Sequence, residues 1–282
     1  MWKIVNFFKR RRIGAGLTAE ADKLVGRSWD EIYAEIEPHL KPALSLQKTE
    51  SEVDSYLGGD PHLPGDHEWP ERSNKPLSFL ACLDLAEIAT TATIDWLPAQ
   101  GKLLIFYDME EQPWGFDPKD RDGWSVLHIE QQSREPTRES VELPKHPVCF
   151  KPFRSLPGWE RLPKLGVTLT DDEFDTYDEG VYNQNTEHQI GGYPLPVQND
   201  YMEEEAQLAS HGLYLGDAYA YSSKEGKELL PGAKDWRLLL QIATDDELGV
   251  MWGDVGSLYF WVQEERAKQG DFSNVWLVLQ CH

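Results

Sequence analysis

The chain has 282 residues, with 27 Lys and Arg against 49 Asp and Glu, and a formal net charge of -22. Hydrophobic residues make up 40% and aromatic residues 11%, a composition that excludes a disordered chain because it can fill a large core. So large a negative charge repels phosphate backbones, which excludes nucleic acid as a partner for the body of the molecule. The length fits one large domain or two of about 140 residues.

The first twelve residues are an exception to this acidity. They place five cations among apolar side chains, and the cations are Lys3, Lys9, Arg10, Arg11 and Arg12. A basic amphipathic segment of this kind lies on an anionic membrane or an acidic partner, or it packs on the acidic surface of its own protein. We favour the last interpretation.

No segment of the sequence approaches the roughly 20 apolar residues that cross a bilayer, and the basic start is not followed by the apolar run of a signal peptide. The cysteines Cys82, Cys149 and Cys281 are odd in number and widely spaced. They are predicted to be reduced and mostly buried. Together these features predict a cytoplasmic protein without an integral membrane segment.

In chain order, the predicted elements begin with a helical segment over residues 18–46, where Ser28 and Glu31 form a capping box and Pro38 interrupts the pattern. Short apolar runs then predict strands at residues 77–85, 103–107 and 124–129. Residues 130–165 contain six prolines and are predicted to form an extended, irregular connection.

Capping pairs predict helices in the second half of the chain. The pairs are Thr170 with Glu173, Asp200 with Glu203, and Ser222 with Glu225. The last part of the chain is predicted to form strands at 237–243, 258–262 and 275–280, with a helix at 263–269 before the last of them.

Three pieces of the first half recur in the same order in the second. Each half has Gly-Gly-x-Pro, at Gly58 and Gly191, then a buried strand, then Gly-x-Leu entering an aromatic strand. The predicted fold is therefore α+β, with mixed or antiparallel sheets built from two pseudo-repeated halves. The predicted bounds are 1–48 for a helical N-terminal segment and 49–282 for the domain, with halves at about 49–150 and 165–282. An undivided domain is the alternative.

The common catalytic motifs are missing from the sequence, including the nucleophile elbow, the phosphate-binding loops and the zinc-protease helix. His62 and His67 form a weak candidate metal pair, and residues 117–123 fail the calcium-loop pattern because Pro118 and Ile129 stand where acids are required. We therefore predict no cofactor, no metal and no catalytic residue.

An ordered set of motifs resembles the YwqG-like family, a bacterial domain of unknown function, over about residues 50–281. The motifs are Gly58-Gly59-x-Pro with Trp69-Pro70, His188-Gln189-Ile190-Gly191-Gly192-Tyr193-Pro194 with Gln198, Leu239-Leu240-Gln241-Ile242, and Trp252-Gly253-Asp254. The resemblance implies a cytosolic, internally duplicated α+β protein, and some relatives are suspected immunity partners of secreted toxins. The sequence departs from the family at Cys82, where the family usually has the glutamine that Gln241 represents in the second half.

The leading hypothesis is a non-enzymatic interaction or immunity-type protein whose acidic surface binds a basic partner. The alternatives are a small-ligand-binding protein or hydrolase that uses a cleft between the halves, and a carbohydrate-binding module. In such a cleft, tryptophans would stack on the ligand while amides and a carboxylate bind its polar groups. The candidate ligand-binding residues are Trp69, Gln198, Gln241, Trp252 and Asp254. The oligomeric state is left open.

Overall fold

The computed structural model describes residues 26–130 and 143–282. Its strands are Lys41–Lys48 (β1), Tyr56–Leu57 (β2), Glu71–Arg72 (β3), Lys75–Pro76 (β4), Ser78–Asp84 (β5), Lys102–Tyr107 (β6), Trp124–Ile129 (β7), His146–Ser155 (β8), Gln189–Gly191 (β9), Trp236–Ala243 (β10), Ser257–Gln263 (β11) and Trp276–Gln280 (β12). The strands predicted in both halves are confirmed, with bounds that differ by one or two residues. The basic segment before residue 26 lies outside the described residues.

The α-helices of the described residues are Trp29–Ile36 (α1), Leu85–Thr91 (α2), Asp171–Gln184 (α3), Met202–Ser210 (α4), Tyr219–Ser222 (α5), Lys224–Leu229 (α6) and Glu264–Lys268 (α7). The predicted capping box of Ser28 and Glu31 opens α1, and that of Thr170 and Glu173 opens α3. Within the described ranges, none of these helices has the length and apolar character required to span a membrane.

Ten of the strands form one antiparallel sheet in the order β12-β11-β10-β9-β1-β8-β2-β5-β6-β7. The sheet curves until its two ends meet, so that it is nearly closed. Trp124 of β7 lies edge-on against Trp276 of β12, with ring centroids 5.1 Å apart, and its Nε1 donates to the carbonyl of Val275 at 2.8 Å. The Leu279 amide also donates to the carbonyl of Trp114 at 3.0 Å. The ends are therefore joined mainly by side chains rather than by a strand ladder.

The main hydrophobic core lies against this sheet, and seven of its ten strands are buried along most of their length, the exceptions being β1, β7 and β8. Strands β5 and β12 are buried at every position, as expected for strands covered on both faces. A smaller cluster joins α1 to α3 through Ile32, Ile36 and Tyr177. Cys82 and Cys281 are buried, as predicted.

Two sequence predictions are wrong at the centre of the sheet. Residues 41–48, which were included in the predicted helical segment, form β1, with Ala43 to Leu46 all buried. The connection predicted as irregular contains the ten-residue strand β8, which pairs with β1 from Lys41 opposite Ser155 to Lys48 opposite Val148. Pro152 is tolerated in β8 because β2 pairs with this strand only at His146 and Pro147.

Two predicted helix starts are also displaced. The N-cap of α6 is Ser223 rather than Ser222, and its side chain accepts from the amide of Gly226 at 2.9 Å. The N-cap of α4 is Tyr201, because the Asp200 carboxylate binds elsewhere, to the Gly158 amide at 3.1 Å.

We expect Trp124→Phe to destabilise the protein by about 1–3 kcal/mol, because the carbonyl of Val275 then loses its buried donor at the junction of the sheet ends. The free energy of unfolding in urea measures this loss. Trp159→Phe is the matched control, since Trp159 is exposed, and it is expected to change stability by no more than about 0.5 kcal/mol. Equal losses in the two variants would contradict a structural role for the junction.

Candidate functional site

The segment after β9 crosses the end of the sheet and carries the most distinctive motif of the sequence. Gly191 and Gly192 adopt φ angles of +69° and +73°, a region that favours glycine. A Cβ on Gly192 would lie 2.3 Å from Ser155 Oγ. This hydroxyl accepts a hydrogen bond from the amide of Tyr193 at 2.7 Å. This turn directs residues 193–199, here called the crossing loop, over strands β9 to β12.

Polar side chains of the second-half strands hold the crossing loop. Gln189 Nε2 donates to the Tyr193 carbonyl at 2.7 Å, and Gln241 Oε1 accepts from the Leu195 amide at 2.9 Å. Gln280 Oε1 accepts from the amides of Val197 and Gln198 at 3.1 and 3.0 Å. All three glutamines are buried. Their amides therefore satisfy backbone groups that would otherwise be buried without partners.

The predicted site residues lie in different surroundings. Gln241 and Gln198 meet at the crossing loop, where Gln198 Nε2 donates to the Cys281 carbonyl at 2.7 Å. Asp254 is exposed near the same end, and its carbonyl accepts from the His282 amide. Trp252 is buried against Tyr107, with ring centroids 5.6 Å apart.

Trp69 lies away from these residues, in a hydrophobic cluster of the first half. Its ring packs edge-on against Phe106 at 5.2 Å, and its Nε1 donates to the Leu77 carbonyl at 2.9 Å. The structure thus brings Gln198 and Gln241 together and leaves Trp69 apart from them. Their binding role stays a prediction.

A cluster of buried charges beside the crossing loop was not predicted from sequence. Arg161 donates to Asp200 at 2.6 Å and to both oxygens of Glu203 at 2.7 and 2.8 Å. The Asp200 side chain is almost fully buried. The ring of Tyr193 lies under two cations, with Lys41 Nζ at 4.1 Å and the Arg161 guanidinium at 5.3 Å. No motif signals this cluster, because its members come from four separated parts of the chain.

Burial shifts the titration of two members of this cluster toward neutral pH. It raises the pKa of Asp200 to about 6, although Arg161 opposes the shift. Burial, together with the positive charge of Arg161, lowers the pKa of Lys41 to about 8. Within the described residues Lys41 has no ion pair, so its ammonium is held by the Tyr193 ring alone. The arrangement offers a cation over an aromatic ring.

The histidines proposed as a weak metal pair do not form a metal site in the described residues, where no three His, Cys, Asp or Glu side chains are placed to hold an ion. His67 Nδ1 instead lies 3.0 Å from Asp66 Oδ1.

The fold and the cluster define an α+β protein with a nearly closed antiparallel sheet and a glutamine-held crossing loop. A family model, described as a domain of unknown function (DUF1963), matches residues 55–281, and the chain belongs to this family. No curated protein matches the chain at a significant level.

We expect Gln241→Leu to cost about 1–3 kcal/mol, because it leaves the partly buried Leu195 amide and the carbonyl of Glu187 without this partner. In the same variant, amide hydrogen exchange at Leu195 is expected to be faster than in the wild type. The control is Gln198→Leu, which removes one bond from an exposed side chain and is expected to cost less than about 1 kcal/mol. Similar losses would show that the amide of Gln241 does not hold the loop.

The pKa of Lys41 predicts a pH dependence of stability. Since the pKa is about 8 in the folded state and 10.5 ordinarily, the unfolded state binds more protons between these values. The free energy of unfolding of the wild type should therefore rise with pH in this window, relative to Lys41→Met, by on the order of 2 kcal/mol.

Lys41→Arg separates charge from packing in this experiment. Arginine keeps a cation over Tyr193 but does not lose its proton in this window. The free energy of unfolding of the wild type should therefore also rise with pH relative to Lys41→Arg. Unfolding curves that stay parallel for all three proteins would exclude titration of Lys41 as the cause.

Proposed function

We propose that this protein is a non-enzymatic, immunity-type interaction protein of the YwqG-like, bacterial kind, which binds a basic protein partner in the cytoplasm. The net charge of -22 supports a basic partner and argues against nucleic acid. The odd number and wide spacing of the three cysteines support a reducing compartment.

A surface of exposed aromatic rings carries the proposal. Phe116, Tyr214 and Tyr219 are 39%, 50% and 74% exposed, and the rings of Phe116 and Tyr214 lie 6.0 Å apart. The Leu215 amide donates to the Phe116 carbonyl at 2.9 Å, which fixes the segment of Tyr214 to that of Phe116. Exposed tyrosines grouped in this way are typical of the centres of protein interfaces.

Carboxylates stand beside these rings. Asp217 and Glu225, with Tyr214 and Tyr219, line a concavity of about 370 Å³. Lysine and arginine bind most favourably where an aromatic face and a carboxylate are both within reach. We call Phe116, Tyr214, Asp217, Tyr219 and Glu225 the aromatic–acidic surface.

We also infer that the domain arose by duplication, with halves close to the predicted bounds of 49–150 and 165–282. The two Gly-Gly turns support this: Gly58 and Gly59 have φ angles of +65° and +69°, within a few degrees of Gly191 and Gly192. A residue before each turn donates a side-chain hydrogen bond to the backbone carbonyl of the residue four positions later in the chain. The donors are Tyr56 Oη, to Asp60 at 2.9 Å, and Gln189 Nε2, to Tyr193 at 2.7 Å.

The strand register supports the same inference. Tyr56 pairs with Cys82 in the first half, as Gln189 pairs with Gln241 in the second. The strand that follows is irregular at the same place, between Phe79 and Ala81 and between Leu238 and Leu240.

Binding to the basic partner is tested by affinity capture from the native cell at about 0.05 M and about 0.5 M salt, followed by mass spectrometry. We expect one stoichiometric partner of high isoelectric point, which is lost as salt rises. Tyr214→Ser with Tyr219→Ser should weaken capture at least about tenfold, since aromatic residues dominate such interfaces.

Matched changes elsewhere on the surface are the controls. Tyr182→Ser removes another exposed tyrosine, on α3, and should leave capture unchanged. Asp217→Asn with Glu225→Gln should reduce capture more than Asp175→Asn with Glu179→Gln, which removes the same charge from α3. Equal effects of the paired variants would reject the aromatic–acidic surface. Salt-independent retention on a carbohydrate resin would instead favour the sugar-binding alternative.

A further inference from the structure

A second concavity lies at the seam where the two ends of the sheet meet. It has a volume of about 380 Å³ and separates β7 from the turn that precedes β12. We call it the seam cleft, and its polar lining consists of His67, Arg121, Ser125, His128, Asp271 and Ser273. None of the predicted ligand-binding residues lines it. Its volume falls within the range of small-molecule sites.

Arg121 stands out in the seam cleft because its guanidinium forms no ion pair in the described structure. Among the arginines of residues 26–130 and 143–282, Arg121 alone has no carboxylate partner in the described structure; the others are paired, as Arg161 is with Asp200. Its side-chain hydrogen bonds go to the carbonyls of Trp124 and Ser273. Burial lowers the pKa of Arg121, although the negative charge of Asp122 opposes the shift. In a chain of net charge -22, such an unpaired guanidinium suits an anionic ligand.

The other polar side chains of the seam cleft differ in how far their hydrogen-bonding groups are already used within the chain. The two ring nitrogens of His128 lie 3.2 Å from the carbonyls of Gly270 and Gln100, so this imidazole is engaged by the chain. The Nδ1–H of His67 faces the Asp66 carboxylate at 3.0 Å, so its Nε2 donates to a ligand only in the imidazolium form. The hydroxyl of Ser125 has no partner in the described part of the chain, and Arg121 retains donors beyond those used.

The acid of the cleft is already neutralised. Asp271 accepts from Arg266 at 2.8 Å and from the amide and hydroxyl of Ser273 at 3.0 and 2.6 Å. These bonds hold the pKa of Asp271 below its usual range, and its charge is balanced by Arg266. Asp271 therefore repels an anion at Arg121 less than a free carboxylate would.

We propose that the seam cleft binds a small phosphorylated metabolite, with Arg121 and Ser125 as donors to the phosphate group and the imidazolium form of His67 as a third donor. A planar guanidinium fork beside hydroxyl and imidazolium donors matches the oxygens of a phosphate. The ring of Phe272 and the side chains of Val126 and Leu127 line the remainder of the cleft. The cleft exceeds the size of inorganic phosphate alone, so the ligand is a phosphate ester of about the size of a sugar phosphate.

The proposal is tested by calorimetric titration of the full chain with glucose 6-phosphate, inorganic phosphate, sulfate and glucose. We expect glucose 6-phosphate to bind with a Kd of about 1 mM or below, inorganic phosphate more weakly, and glucose not at all. Inorganic phosphate that binds as tightly as the ester would overturn the assignment of an ester. Sulfate that binds as tightly would overturn selectivity for phosphate.

Variants assign the binding to the cleft. Arg121→Gln should weaken binding at least about tenfold, whereas Arg154→Gln, which removes an exposed arginine near Glu37, should not change it. Because Arg121 also contacts Ser273, His67→Ala is a second variant that spares this contact, and it should weaken binding several-fold. Equal losses of affinity in the Arg121 and Arg154 variants would reject the site. So would a Kd that is unaltered both in His67→Ala and in Arg121→Gln.

Discussion

Antiparallel pairing of β1 with β8 joins the strands on either side of it into a single sheet. Eight residues of each strand are in register, from Lys41 opposite Ser155 to Lys48 opposite Val148. On one side β1 pairs with β9, and on the other β8 pairs with β2. The sheet order, the junction of its ends and the position of the crossing loop all depend on this central pair, because each ladder is aligned on its neighbour.

The most distinctive sequence motif of the chain serves this architecture. The Gly-Gly turn after β9 and the side chains of Gln189, Gln241 and Gln280 hold the crossing loop. The surfaces proposed for binding carry no such motif. Tyr214 is singled out only by its exposure and Arg121 by the absence of an ion pair among the described residues, and both properties arise when the chain is folded.

Much of the fold could be predicted from local sequence, since periodicity and capping residues act over a few positions. The strand at Trp124–Ile129 and the capping box of α1 are examples. The strand β8 could not be predicted in this way, because Pro147 and Pro152 argue against a central strand. Only the sheet order shows that β2 is too short to need a donor from Pro152.

The candidate site was less accessible to prediction for a related reason. Asp200 has the sequence context of a helix cap, and its partner Arg161 lies 39 positions earlier, in a proline-rich segment. Tryptophan and glutamine are conspicuous in the sequence, yet Trp252 and Gln241 are buried. Residue type alone does not separate a side chain that binds a ligand from one that holds a loop.

The position of β1 matters when a fragment of the chain is chosen from the residues that match the family. The family match begins at residue 55, whereas β1 ends at Lys48. A fragment trimmed to the matched residues would lack the middle strand and leave the flanks of β8 and β9 open. Unpaired strand flanks recruit strands from other molecules, so such a fragment would tend to associate with itself, and its insolubility would say nothing of the intact protein.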